Sequence, residues 1–129
     1  MFPPIYATCA ADTSVVTLLS DSGGLLRLFP AGEAPQTEAR PYAVWQTIYG
    51  EPDNSLCCIP NTDLFGIQID VYGPTLDGVR SIASALRDAI EATPGALVVR
   101  YNGETREAGS RSDRHWRYSF DVEWRDYRA

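Results

Sequence analysis

Lysine is absent from the 129-residue chain: all 11 basic residues are arginine. They are outweighed by 17 acidic ones, giving a formal charge of −6, which argues against a general nucleic-acid binder, since such a protein needs a cationic surface to neutralise phosphates. Cysteine occurs three times without CxxC spacing, which excludes a disulfide framework and points to a reducing compartment. Histidine occurs once, too few for the usual zinc sets beside the adjacent pair Cys57-Cys58. No apolar run approaches the ~20 residues that span a bilayer, and the first ten residues lack the basic flank of a signal peptide. Wholesale disorder is excluded too, because 44% hydrophobic and 22% charged residues match a globular protein. The expectation is one domain over residues 1–129, made in a cytoplasm and long enough to bury one core.

The stretch from Leu64 to Ala92 organises the chain. Phe65, Ile67, Ile69 and Val71 alternate with Gly66, Gln68 and Asp70, which is the period of a half-buried strand. Gly73-Pro74 ends the strand, and the Thr75 hydroxyl is placed to cap a helix. Leu76, Val79, Ala83, Leu86 and Ile90 then recur at helical spacing and form one apolar stripe. Strand and helix each have one apolar side and should bury them together.

Before this unit, Met1 to Ser20 reads as a helix in two pieces, restarting at Asp12 or Thr13 and ending in the turn-forming Asp21-Ser22-Gly23-Gly24. Leu25 to Phe29 is a short strand closed by Pro30, and Ala31 to Arg40 a polar connection. Tyr42 to Tyr49 reads as a strand with two apolar faces, Tyr42, Val44 and Ile48 on one and Ala43, Trp45 and Tyr49 on the other. Such a strand is central to its sheet or covered by another chain. Gly50 to Thr62 reads as a loop whose middle, Leu56 to Ile59, is apolar, either tucked over its own core or offered to a partner.

After the helix, Ala96 to Tyr101 forms a strand and Asn102-Gly103 a turn. Glu104 to Arg114 is a charged, mobile connection holding Arg106, Arg111 and Arg114. Trp116, Tyr118, Phe120, Val122 and Trp124 then alternate with polar residues in the clearest strand of all. The order α-β-β-β-α-β-β predicts an α+β fold, a mainly antiparallel sheet of about five strands packed against two helices.

Chemistry-bearing groups are few. A thiol nucleophile would need His115 as base and a carboxylate to orient it, and no local signature supports that arrangement. Asp121 and Glu123 share a strand face with Arg117 and Arg125, which reads as a charge-paired surface. Asp70, mid-strand beside Gln68, suits a hydrogen-bonded edge or a subunit contact better than catalysis. Gly23-Gly24 lacks the strand and the Lys-Ser/Thr of a phosphate loop. No catalytic, cofactor or metal residues are assigned.

Three stretches carry a family resemblance. Leu28-Phe29-Pro30, Pro35 and Pro41-Tyr42-Ala43-Val44-Trp45-Gln46 resemble the front half of phage tail-completion (tail terminator) proteins. Gln68-Ile69-Asp70-Val71-Tyr72 with the helix from Ser81 to Ile90 resembles their middle, and Tyr118 to Trp124 their closing strand. The pieces occur in the right order over nearly the whole chain; the Cys57-Cys58-Ile59-Pro60 stretch departs from the polar loop expected there. The resemblance implies a cofactor-free virion protein of long flexible-tailed phages or gene-transfer particles. It would form a homo-hexameric ring on the head-proximal end of the tail tube, ending tube polymerisation and joining tail to head. Implied partners are the major tail tube protein and a head-side stopper or connector, with genomic DNA passing through the lumen and no membrane. The alternatives are a stopper or other neck-ring protein and, from another class, a small cytoplasmic Cys–His enzyme. Candidate interface residues are Tyr49, Leu56, Ile59, Asp70, Arg106, Arg111 and Arg114, mostly in the two unusual segments Gly50 to Thr62 and Asn102 to Arg114.

Overall fold

A computed structural model describes residues 2–21, 23–33, 41–54, 57, 59–107 and 115–127. The N-terminal stretch does break in two, into α1 (Ile5–Ala10) and α2 (Thr13–Leu19). Asp12 makes the restart possible, because its carboxylate accepts the otherwise orphaned N–H of Val15 at 3.1 Å. α3 (Leu76–Glu91) starts in the same way, with the Thr75 hydroxyl accepting from the Gly78 N–H at 3.1 Å. The strands are β1 (Leu28–Pro30), β2 (Tyr42–Pro52), β3 (Thr62–Gly73), β4 (Ala96–Glu107) and β5 (His115–Tyr127).

They form one sheet in the order β1-β2-β3-β5-β4, with β1 parallel to β2 and every other pair antiparallel. The last strand in sequence therefore lies between β3 and β4. All three helices belong to one side of the sheet. Alternation in β3 sends Phe65, Ile67, Ile69 and Val71 to that side, where they meet Phe120, Val122 and Trp124 of β5 and the α3 stripe of Val79, Ile82, Leu86 and Ile90. α1 and α2 complete the core with Ile5, Cys9, Val15 and Leu19. The opposite face carries no helix among the described residues and is called the outer face below.

Three sequence expectations are corrected. The Asn102-Gly103 turn is a bulge inside β4, which continues to Glu107; Gly103 takes φ +85°, the dihedral that made the pair look like a turn. The apolar-centred loop is shorter than Gly50 to Thr62, because β2 runs on to Pro52 and β3 begins at Thr62. Tyr49 changes face, because a bulge at Ile48 inserts one residue and reverses the alternation, so that Tyr49 pairs with Gly66 on the outer side.

Candidate interaction surface

Tyr49 lies flat over a glycine. A Cβ added at Gly66 would stand 2.1 Å from the Tyr49 ring, so only the missing side chain lets the ring cross β3. The ring reaches β5, where its hydroxyl donates to Glu123 at 3.5 Å. Partial desolvation and the neighbouring Glu123 and Glu51 push the phenol pKa up, so it remains a hydrogen-bond donor. Beside it the outer face holds a shallow groove of about 440 Å³, lined by Ile48 and Tyr49 from β2 and by Val99 and Arg100 from β4.

The middle of this face is a polar network. The Gln68 amide donates to Asp70 and to the buried Ser119 hydroxyl, both at 3.2 Å. The Asn102 amide donates to Ser119 at 3.4 Å and to Asp121 at 3.1 Å. Asp121 and Glu123 thus accept from Asn102 and Tyr49 respectively. Asp70 sits on β3, a strand paired on both sides, so it belongs to this network and not to an open edge.

At one end of the face runs an aromatic band that sequence reading missed. Phe29, Tyr42, Tyr72 and His115 follow one another across β1, β2, β3 and β5, with ring centroids 6.5, 5.2 and 5.7 Å apart. Rings packed in this way are stiff and part apolar, qualities favoured at interfaces. Outward parity at Tyr42 and Tyr72 was the available signal; the strand order that joins them was not.

The two predicted contact segments lie at opposite ends of the sheet. Exposed Cys57 and Ile59, the latter 86% exposed, follow Pro52 at the end where β3 begins. Their base is tied by Asp53, which accepts from Thr62 at 3.1 Å and pairs with Arg125 at 3.5 Å. Arg106 lies at the other end, on β4 rather than in a loop, with its guanidinium 5.6 Å above the Trp116 ring. Leu56, Cys58, Arg111 and Arg114 lie outside the described residues.

Among the described residues the geometry separates the groups a Cys–His mechanism would need. Cys9 is fully buried on the helix side, and burial, with a smaller contribution from Asp12, pushes its thiol up to about 12. His115 is across the sheet on the outer face, packed against Tyr72. Cys57 lies beyond the far end of β3, roughly 33 Å away at the ~3.3 Å rise of a strand residue. On the helix side, Arg87 is held fully cationic by hydrogen bonds to Tyr101 and Asp88. Burial raises the Tyr118 phenol, and Arg80 pairs with Glu104, linking α3 to β4. Among the described residues no group of three or more acidic, His or Cys side chains could hold a metal, and no helix is long and apolar enough to cross a membrane.

One helix-covered sheet face and, among the described residues, one bare polar and aromatic face make this an α+β protein. The chain belongs to the tail completion protein gp17 family, which it matches over residues 3–126, and is thereby a structural protein of phage tails and a component of the virion. A search of curated proteins found no match. Among solved structures the fold is similar to a chain in the virion of a native gene transfer agent particle, with a TM-score of 0.59 at 16% identity, covering 95% of this chain and 92% of that one.

Proposed function

We propose that the protein is the tail terminator: a hexameric ring that caps the head-proximal end of the tail tube, stops its polymerisation and joins it to the head. Membership of the tail completion family over nearly the whole chain carries this reading. The position of the contact segments supports it. A ring between tube and head needs two faces, and the stretch around Ile59 and the β4–β5 connection beyond Arg106 leave the sheet at opposite ends. One would meet the major tail tube protein and the other the head-side stopper. The charge of −6 favours a lumen that repels phosphate, so that genomic DNA slides through without binding.

The test is Ile59→Asp. The side chain is almost wholly exposed, so the monomer should fold as the wild type does. Placing a charge in an apolar contact should prevent capping, leaving overlong tubes not joined to heads in electron micrographs. Tails of normal length attached to heads would overturn the role given to this loop.

A further inference from the structure

Both edges of the sheet are open, and they are open differently. Among the described residues β4 is an edge strand over Ala96–Glu107, pairing only with β5, with the Val98 N–H donated to the Glu91 carboxylate at 3.2 Å. β2 is covered by β1 only at Ala43 to Trp45, so among the described residues its outer edge from Gln46 to Pro52 has no strand beside it. Soluble proteins guard such edges, most often with lysine. This chain has no lysine, and among the exposed side chains along these edges are five large apolar ones: Ile48 and Tyr49 on β2, Leu97, Val99 and Tyr101 on β4.

Resting on the terminator reading, we infer that these edges meet, β4 of one copy lying against the Gln46-to-Pro52 edge of β2 in the next. Three observations favour a second copy as the occupant. The edges are two different surfaces of one sheet, so their contact is head-to-tail, the kind that closes rings. β2 and β4 run in opposite directions, since β2, β3, β5 and β4 alternate; rotation about a ring axis therefore sets β4 antiparallel to its neighbour's β2. The bulges at Ile48 and Val99 leave apolar side chains about half exposed, 53% and 49%, one on each edge.

The experiment uses two variants, Ile48→Lys and Val99→Lys, each blocking one edge at an exposed position. Circular dichroism should show both folded. Each alone should lose the ring and fail to cap tubes. Mixed in equal amounts, they should form a dimer of twice the 14.2 kDa chain mass and nothing larger, because one sound edge of each kind remains. Native mass spectrometry reads this directly. The inference is overturned if either variant alone assembles or caps as the wild type does, or if the mixture stays monomeric. Wild-type rings that leave tube length unchanged would instead refute the terminator reading and spare the edge contact. A wild type that is monomeric both in solution and on tubes would overturn both.

Discussion

The crossing of Tyr49 over Gly66 can be tested as an energetic coupling. In Gly66→Ala the new methyl would meet three ring atoms at 2.1 to 2.6 Å, so the ring must leave. Displacing it costs about 1 kcal/mol in rotamer strain. The exposed hydrogen bond to Glu123 contributes roughly 0.5 kcal/mol, and the lost packing a similar amount, about 0.5 kcal/mol. Against these stands a gain of about 0.7 kcal/mol, because alanine loses less backbone freedom than glycine in a strand. Gly66→Ala should therefore destabilise the wild type by about 1 kcal/mol. In a Tyr49→Ala background nothing obstructs the methyl, and the same change should stabilise by about 0.7 kcal/mol. The difference is a coupling of about 2 kcal/mol, well above the error for independent sites. Urea unfolding of the four proteins, followed by fluorescence of Trp45, Trp116 and Trp124, measures it. If Gly66→Ala has the same effect with and without the Tyr49 ring, the crossing described here is wrong.

Two further perturbations follow from single residues. Cys9 holds its proton up to about 12 in the folded chain against 9.0 ordinarily, so its contribution is full below pH 9 and is lost as pH rises toward 12. This group should cost about 1 kcal/mol of stability between pH 9 and 10, and Cys9→Ala should remove that part of the alkaline slope, leaving the part due to the raised Tyr49 and Tyr118 phenols, while lowering stability at neutral pH; an unchanged slope in the variant would refute the assignment. Gly95 takes φ +90°, and a Cβ there would stand 2.7 Å from the Arg125 carbonyl oxygen, so Gly95→Ala should cost about 2 kcal/mol. In a thermal melt that is a loss of roughly 8 °C for a chain of this size, and an unshifted midpoint would contradict the geometry.

The elements that pack within themselves were legible in the sequence. Phe65 to Val71 and Leu76 to Ile90 show their periods because one side of each faces the core, and the same holds for Trp116 to Trp124. What escaped reading depends on partners far along the chain. Asn102-Gly103 satisfies a turn and a bulge with the same positive dihedral, and only pairing with β5 selects the bulge. Tyr49 was given the wrong face because a bulge adds one residue without any mark in composition. The insertion of β5 between β3 and β4 is equally silent, since neighbours in sequence are the default neighbours in space. With it went the aromatic band, whose last member stands on β5. Of the candidate interface residues, Ile59 and Tyr49 are exposed, while Asp70 is half-buried in the polar network of the outer face.

The placement of β5 also governs when a newly made chain becomes able to assemble. Among the described residues β4 joins the rest of the sheet only through β5, and β5 follows it in the chain. Until Tyr127 has emerged, β3 has no partner on that side and β4 belongs to no sheet, so the edge that would greet a neighbour does not yet exist. A product that stops before β5 leaves β4 without its strand partner and so presents no such edge.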